Sequence, residues 1–187
     1  QFAACALAAL MLAPAAARAE YPEKPVQIIV PFGAGDAIDG TARVIARQLQ
    51  NYFGKPFIVR NVDGAGGSVG TLEAAKAPAD GYTLLIASTG ALTARPIMAE
   101  AGYQTDDFIP LAELVETPIA VAVAADSPLN SISDIVEKAK SEDVTFSTPG
   151  PGSSQHVSMS DFADQQGIEL THISGQGGKG AVTKALS

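Results

Sequence analysis

The sequence predicts an α/β protein built on parallel sheets. Three observations carry that reading. Short apolar runs alternate with stretches whose apolar residues recur at helical spacing, the connections between them are short, and glycine-rich turns sit where runs give way to helices. With 187 residues, 47% apolar and only 6% aromatic, the chain has room for one or two small domains.

"VQIIVPF" reads as the first strand, after which Ile38, Ala42, Ile45 and Leu49 recur at helical spacing down to Phe53. "PFIVRNV" is a second strand. A glycine-rich turn over residues 64–70 then leads into a short helix, "SVGTLEAAKA", stopped by Pro78. An Asp-Gly turn opens the third strand, "DGYTLLIAS", and a further helix is expected around residues 91–101. The uninterrupted apolar run "IAVAVAA", residues 119–125, is expected as a strand covered on both faces. "SPLNSISDIVEKAK" reads as a helix with a Ser or Asn cap that turns Ile132, Ile135, Val136 and Ala139 inward. A strand ("VTFSTPG"), a helix ended by Gly167 ("SSQHVSMSDFADQQG") and a strand ("ELTHIS") follow, and "GQGGKGAVTKALS" starts one more turn and helix.

A formal net charge of −8 and a pI near 4.6 exclude a nucleic-acid partner, which would call for a basic face. The N-terminal apolar, Ala-rich run is short for a bilayer span and precedes Ala17-Arg18-Ala19, a cleavage-site pattern of small residues. Residues 1–19 are therefore expected to be a signal peptide, incomplete at its start and cut near Ala19, and the mature chain to be periplasmic. That cut would remove Cys5, the single cysteine.

Four glycine turns fall between a strand's carboxyl end and the next helix, where parallel sheets bind ligands: residues 33–39, 88–90, 147–154 and 174–180. Glycine lets the backbone reach positive φ and approach a ligand closely. A helix start adds free N–H groups and the positive end of the helix dipole, worth ~0.3–1 kcal/mol to an anion. One such turn says little. Four converging on one cleft would hold a small carboxylate without any lysine or arginine.

A nucleotide is excluded in detail. Gly33-Ala34-Gly35 supplies G-x-G, but Ile38 stands at the third glycine position, and "GAGGSVG" lacks the Gly-Lys-Ser/Thr of a phosphate loop. Catalytic and metal motifs are equally thin. His156 and His172 lack the spacing of a metal site. The enzymatic alternative is a serine hydrolase that pairs Ser153 or Ser88 with His156. No cofactor and no metal are expected.

Four segments then carry a resemblance: "YPEKPVQIIVPFGAGDAIDGTAR", "GAGGSVGTLEAAKAPADGYTLLIAS", "DSPLNSISDIVEKAK" and "FSTPGPGSSQHVSMSDF". In order and spacing they resemble the Bug family, the periplasmic substrate-binding proteins of tripartite tricarboxylate transporters, from Tyr21 to the last residue. The resemblance implies a type II periplasmic-binding-protein fold, two parallel-sheet lobes around a ligand cleft. It implies a non-enzymatic, monomeric protein that captures a small carboxylate or amino acid and delivers it to membrane permease subunits. It also implies a longer chain, so this one is expected to be a fragment. The first lobe would span residues 20–118 without its C-terminal returning part, and residues 119–187 would be the N-terminal part of the second. A sensor lobe pair of a transcription factor shares the general fold, but the export signal and the lack of a basic helix-turn-helix speak against it.

Carried over residue by residue, the implied ligand-binding positions are Phe32, Gly33, Gly35 and Asp39 in the first turn, with Pro31 beside them, and Ser88 and Thr89 after the third strand. From the other lobe come Ser147, Gly150, Gly152, Ser153 and Ser154, with His156 just inside the helix, and Gly177 in the last turn. Three positions depart from the family. Asp36 stands where the family usually has glycine, Asn61-Val62-Asp63 replaces Asn-Arg-Pro, and Ser174-Gly175-Gln176 replaces Pro-Tyr-Lys. Asp36 either caps the helix from outside the cleft or selects the ammonium of an amino acid.

Overall fold

The computed structural model describes residues 21–186. The expected signal peptide lies outside the described residues.

Strands β1 (Val26–Val30), β2 (Phe57–Asn61) and β3 (Thr83–Leu85) form a parallel sheet in the order β2-β1-β3. Ile28 stands in register with Val59 on one side and Leu84 on the other. Helix α1 (Ala37–Phe53) connects β1 to β2, and α2 (Ser68–Ala75) connects β2 to β3. These two connections step in opposite directions across β1. Right-handed crossovers therefore put α1 and α2 on opposite faces of the sheet. The place where the winding reverses is the carboxyl end of β1, the position at which an open parallel sheet leaves a crevice.

The core explains why β1 is apolar along its whole length. Val26, Ile28 and Val30 are fully buried with Phe32, Phe57, and Ala42 and Ala46 of α1; Ile29 is 1% exposed. Small residues on α1 let the helix sit close to the sheet, and Leu49 and Phe53 extend its apolar stripe. The helix stops at Gly54, whose φ of 66° is left-handed and whose N–H reaches Gln50 O at 2.9 Å.

After β3 a π-helical turn (Gly90–Ala94) continues into α3 (Arg95–Met98). Tyr103, 2% exposed, donates to Ala91 O, and Thr105 donates to Leu92 O, tying the following segment to the first lobe. The second unit holds α4 (Ile132–Ala139), β4 (Val144–Thr148), α5 (Ser154–Gln166), β5 (Leu170–Ser174) and α6 (Gly178–Ala185), with β4 and β5 paired in parallel. A capping box opens α4: Ser131 Oγ accepts from Asp134 N at 3.2 Å and the Asp134 carboxylate accepts from Ser131 N at 2.9 Å.

Two expectations are corrected. Residues 119–125 do not form a strand, and Ile119, Val121 and Val123 are 47%, 54% and 44% exposed. A strand exists only through a ladder to a neighbour, and none of the described strands lies beside this run. Ile132 is exposed at the first position of α4, so the helix turns inward only Ile135, which is buried, and the half-buried Val136 and Ala139.

Candidate functional site

The turn after β1 is held from within. Gly35 takes a φ of 90°, and its N–H donates to Asp39 Oδ2 at 2.9 Å. Arg43 Nε donates to the same oxygen at 3.0 Å, and Asn61 Nδ2 donates both to Asp39 Oδ1 and to Phe32 O at 3.0 Å. Asp39 is 3% exposed with both oxygens engaged. The Arg43 hydrogen bond, helped by those from Gly35 and Asn61, holds its carboxyl at about 2 against the desolvation that opposes it. Asp39 is thus the post of the turn, and Phe32 lies in the core beneath it.

A turn that the fourfold count leaves out stands beside it. Residues 64–67 all have positive φ, Ala65 included. A Cβ on Gly67 would lie 3.0 Å from the Phe32 ring and 3.1 Å from Ala91 Cβ, so only glycine lets this turn fold onto the first. A Cβ on Gly66 would overlap Pro151 O, and one on Gly150 would lie 2.9 Å from Gly66 Cα. The two lobes meet here backbone to backbone.

The turn after β3 makes the next contact. Gly90 N donates to Ser154 Oγ at 3.1 Å, and a Cβ on Gly90 would lie 2.5 Å from Ser154 N. Ser88 is half-buried and Thr89 exposed, just before that contact. Arg95 spans the join: Nε donates to Ser68 Oγ at 2.7 Å and a terminal nitrogen donates to Pro151 O at 3.3 Å.

On the second lobe, Ser153 caps α5, its Oγ accepting from His156 N at 3.3 Å and donating to Thr148 Oγ1 at 3.4 Å. Thr148 Oγ1 lies 2.8 Å from His172 Nε2, and Gly152 N donates to His156 Nδ1 at 3.3 Å. The two imidazoles are 4.2 Å apart, centre to centre, beside Phe146. Burial pushes both pKa values down, assisted by Arg95 for His156 and by His156 for His172. Ser147 Oγ is buried without a hydrogen-bond partner. The last turn hangs on this one: Gly175 N donates to Thr148 O and Gly177 N to Pro149 O, each at 2.8 Å. Gly177, at φ 111°, faces the first lobe, where a cavity of about 370 Å³ is lined by Gly33, Ala34, Asp36 and the start of α6.

Every turn singled out in the sequence therefore comes to one interlobe region, and one further turn joins them. The hydrolase pairing is not assembled. Ser153 is 2% exposed and its hydroxyl meets Thr148, while the His156 ring meets a backbone N–H; no serine hydroxyl contacts that ring among the described residues.

The model of the tripartite tricarboxylate transporter family receptor matches residues 41–187. The chain belongs to this family.

Among curated relatives, BugT of Bordetella pertussis is 35% identical over 171 residues, 89% of this chain and 52% of its own length. A protein encoded in the tcbD-tcbE intergenic region of Pseudomonas sp. (strain P51) is 34% identical over 170 residues, 89% of this chain and 51% of the relative. Among solved structures, a Rhodopseudomonas palustris protein with adipate superposes with a TM-score of 0.82 at 28% identity, covering 89% of this chain and 57% of that one. MatC from the same organism, with bound malate, gives 0.80 at 28% identity and the same coverage. BugD, a periplasmic binding protein, gives 0.71 at 30% identity over 88% of this chain and 56% of its own. The chain thus spans about half the length of the relatives it matches, with the expected α/β, type II periplasmic-binding-protein-like fold.

The sequence reading placed a glycine-rich turn at residues 64–70 but left it out of the ligand-binding turns, and it passed over Arg95. The run "GAGG" was the available signal, since three glycines in four positions announce a backbone outside the ordinary regions.

Proposed function

We propose that this chain belongs to an extracytoplasmic solute-binding protein that captures a small carboxylate or amino acid between its lobes and hands it to the permease of a tripartite tricarboxylate transporter. It acts in the periplasm, as a monomer and without chemistry, after removal of a signal peptide ending near Ala19. The first lobe ends near residue 118. One observation carries the reading: glycine turns from both lobes meet at the crevice where the first sheet reverses its winding. Backbone N–H groups at the starts of α1, α5 and α6 and the unpartnered Ser147 hydroxyl suit carboxylate oxygens. The adipate and malate in the two R. palustris structures support a carboxylate. In this scheme Asp39, Arg95 and Ser153 position the turns, while Gly33, Gly35, Ser88, Thr89, Gly150, Gly152, Ser154, His156 and Gly177 face the ligand.

The test is a thermal-shift screen with di- and tricarboxylates, amino acids, aromatic acids and nucleotides. A ligand at 100 times its Kd adds about 2.7 kcal/mol, hence a shift of a few degrees. A shift confined to one carboxylate class, with the compound recovered unchanged, supports capture. Product formation supports the hydrolase, and no shift from folded protein refutes the cleft.

A further inference from the structure

Asp36 and Asp63 bring a carboxylate to the same point. Asp36 occupies the residue before α1, with the extended backbone of a cap (φ −70°, ψ 162°), yet its side chain accepts no hydrogen bond from that helix. The carboxylate is turned the other way. A methyl on Gly177 would lie 3.4 Å from Asp36 Oδ2, and one on Gly178 would lie 3.5 Å from Asp36 Oδ1. Asp63 arrives from the end of β2. Its Oδ1 accepts from Gly64 N at 2.7 Å, which leaves Oδ2 aimed at the same Gly177 position, 3.9 Å from that methyl, and 3.6 Å from one on Gly33.

The Asp36 side chain makes no hydrogen bond or ion pair to another described residue, although Asp36 lines the cavity of about 370 Å³ between the first and last turns. The second-lobe wall of that cavity carries Lys179 and the start of α6, with its positive dipole end. Negative groups on one wall and positive groups on the other are the charge pattern of a zwitterion. A plain diacid would set a second anion against Asp36 and Asp63, which like-charge repulsion penalises.

We infer that Asp36 and Asp63 make the cleft selective for ligands that carry an ammonium beside the carboxylate, so that amino acids bind in preference to plain di- and tricarboxylic acids. The ammonium sits between the two aspartates and donates charge-assisted hydrogen bonds to both. The carboxylate points toward the glycine turns and the α6 side. This inference rests on the cleft being the ligand site.

Matched pairs that differ only by the amine separate the two ideas: aspartate with succinate, and glutamate with glutarate, titrated calorimetrically into the folded protein. The expected result is at least about tenfold tighter binding of one aminated member over its partner. Asp36→Asn with Asp63→Asn should erase that preference, and Asp36→Gly, which removes the carboxylate, should improve succinate or glutarate. Among the described residues the Asp36 side chain makes no hydrogen bond, and Asp63 bonds only the adjoining Gly64 N–H, so these variants are expected to keep their far-UV spectrum. Equal or tighter binding of the plain diacids overturns the inference while leaving the cleft intact, as does a preference that survives in the double variant. If no member of either pair binds, the selectivity falls; if the wider carboxylate panel is also silent, the cleft reading falls with it.

Discussion

β1 and residues 119–125 are built from the same kind of residue and end in opposite surroundings. "VQIIV" lies at the centre of a three-stranded sheet, with Val26, Ile28 and Val30 at 0% exposure. "IAVAVAA" is apolar without a break, yet Ile119, Val121 and Val123 are each exposed by more than two-fifths. The difference lies in the neighbours. β1 has a strand on each side and a helix on each face, so its N–H and C=O groups and its side chains are all satisfied. The second run has no paired strand among the described residues. Apolar composition states what a segment can bury, and topology decides whether it does.

The largest effect that would break this contrast is in the core. Ile28→Ala should destabilise the protein by about 2–5 kcal/mol, whereas Val121→Ala should stay within about 0.5 kcal/mol. Urea unfolding of the two variants measures both. A comparable loss from Val121→Ala would mean that the second run is packed in solution.

Next is the post of the first turn. The carboxyl of Asp39 titrates near 2 in the folded protein against an ordinary 3.8, so its contribution is complete above 3.8 and is lost as pH falls toward 2. That shift corresponds to about 2 kcal/mol. Asp39→Asn should lose about that much at neutral pH and flatten the acid limb of the stability curve below pH 4.

The histidine pair gives a gentler slope in a different window. Burial disfavours the charged form of both imidazoles, so the unfolded chain takes up their protons more readily. Stability is full above 6.5 and falls as pH drops below it. Removing both imidazoles (His156→Gln with His172→Gln) should remove that slope in pH-dependent thermal melts, leaving the Asp39 limb in place.

The smallest effect is expected at the rim of the first sheet, where Arg60, in register with Ile29, pairs with Glu73 of α2. Both side chains are more than a third exposed. Glu73→Gln should therefore change stability by less than about 1 kcal/mol, and less again in high salt.

What could be read in advance follows the range over which each signal acts. Caps are local, and Gly54, Ser131 and Gly167 could be placed from their flanking residues. Strand–helix alternation is nearly as local, which is why both sheets were legible. Contacts between turns were not, because nothing in "GAGG" says that Pro151 lies against it. Asp39 shows the same limit: an acidic residue four positions before Arg43 is equally a ligand contact or a buttress until Asn61 and Gly35 N–H are seen around it. Asp63 stood out in the sequence as Asn61-Val62-Asp63, but its approach to Gly177 is a tertiary fact.

If turns from the two lobes make one carboxylate site, Gly90, which packs against the start of α5, is a place to test it. Gly90→Ala would set a methyl 2.5 Å from Ser154 N and force the lobes apart while leaving the core of the first sheet in place. Calorimetric titration of this variant, with the best carboxylate of the parent protein, is the direct test. An unchanged far-UV spectrum with binding weakened by more than about tenfold is the expected result. Unchanged affinity would mean that the ligand does not sit where the lobes meet.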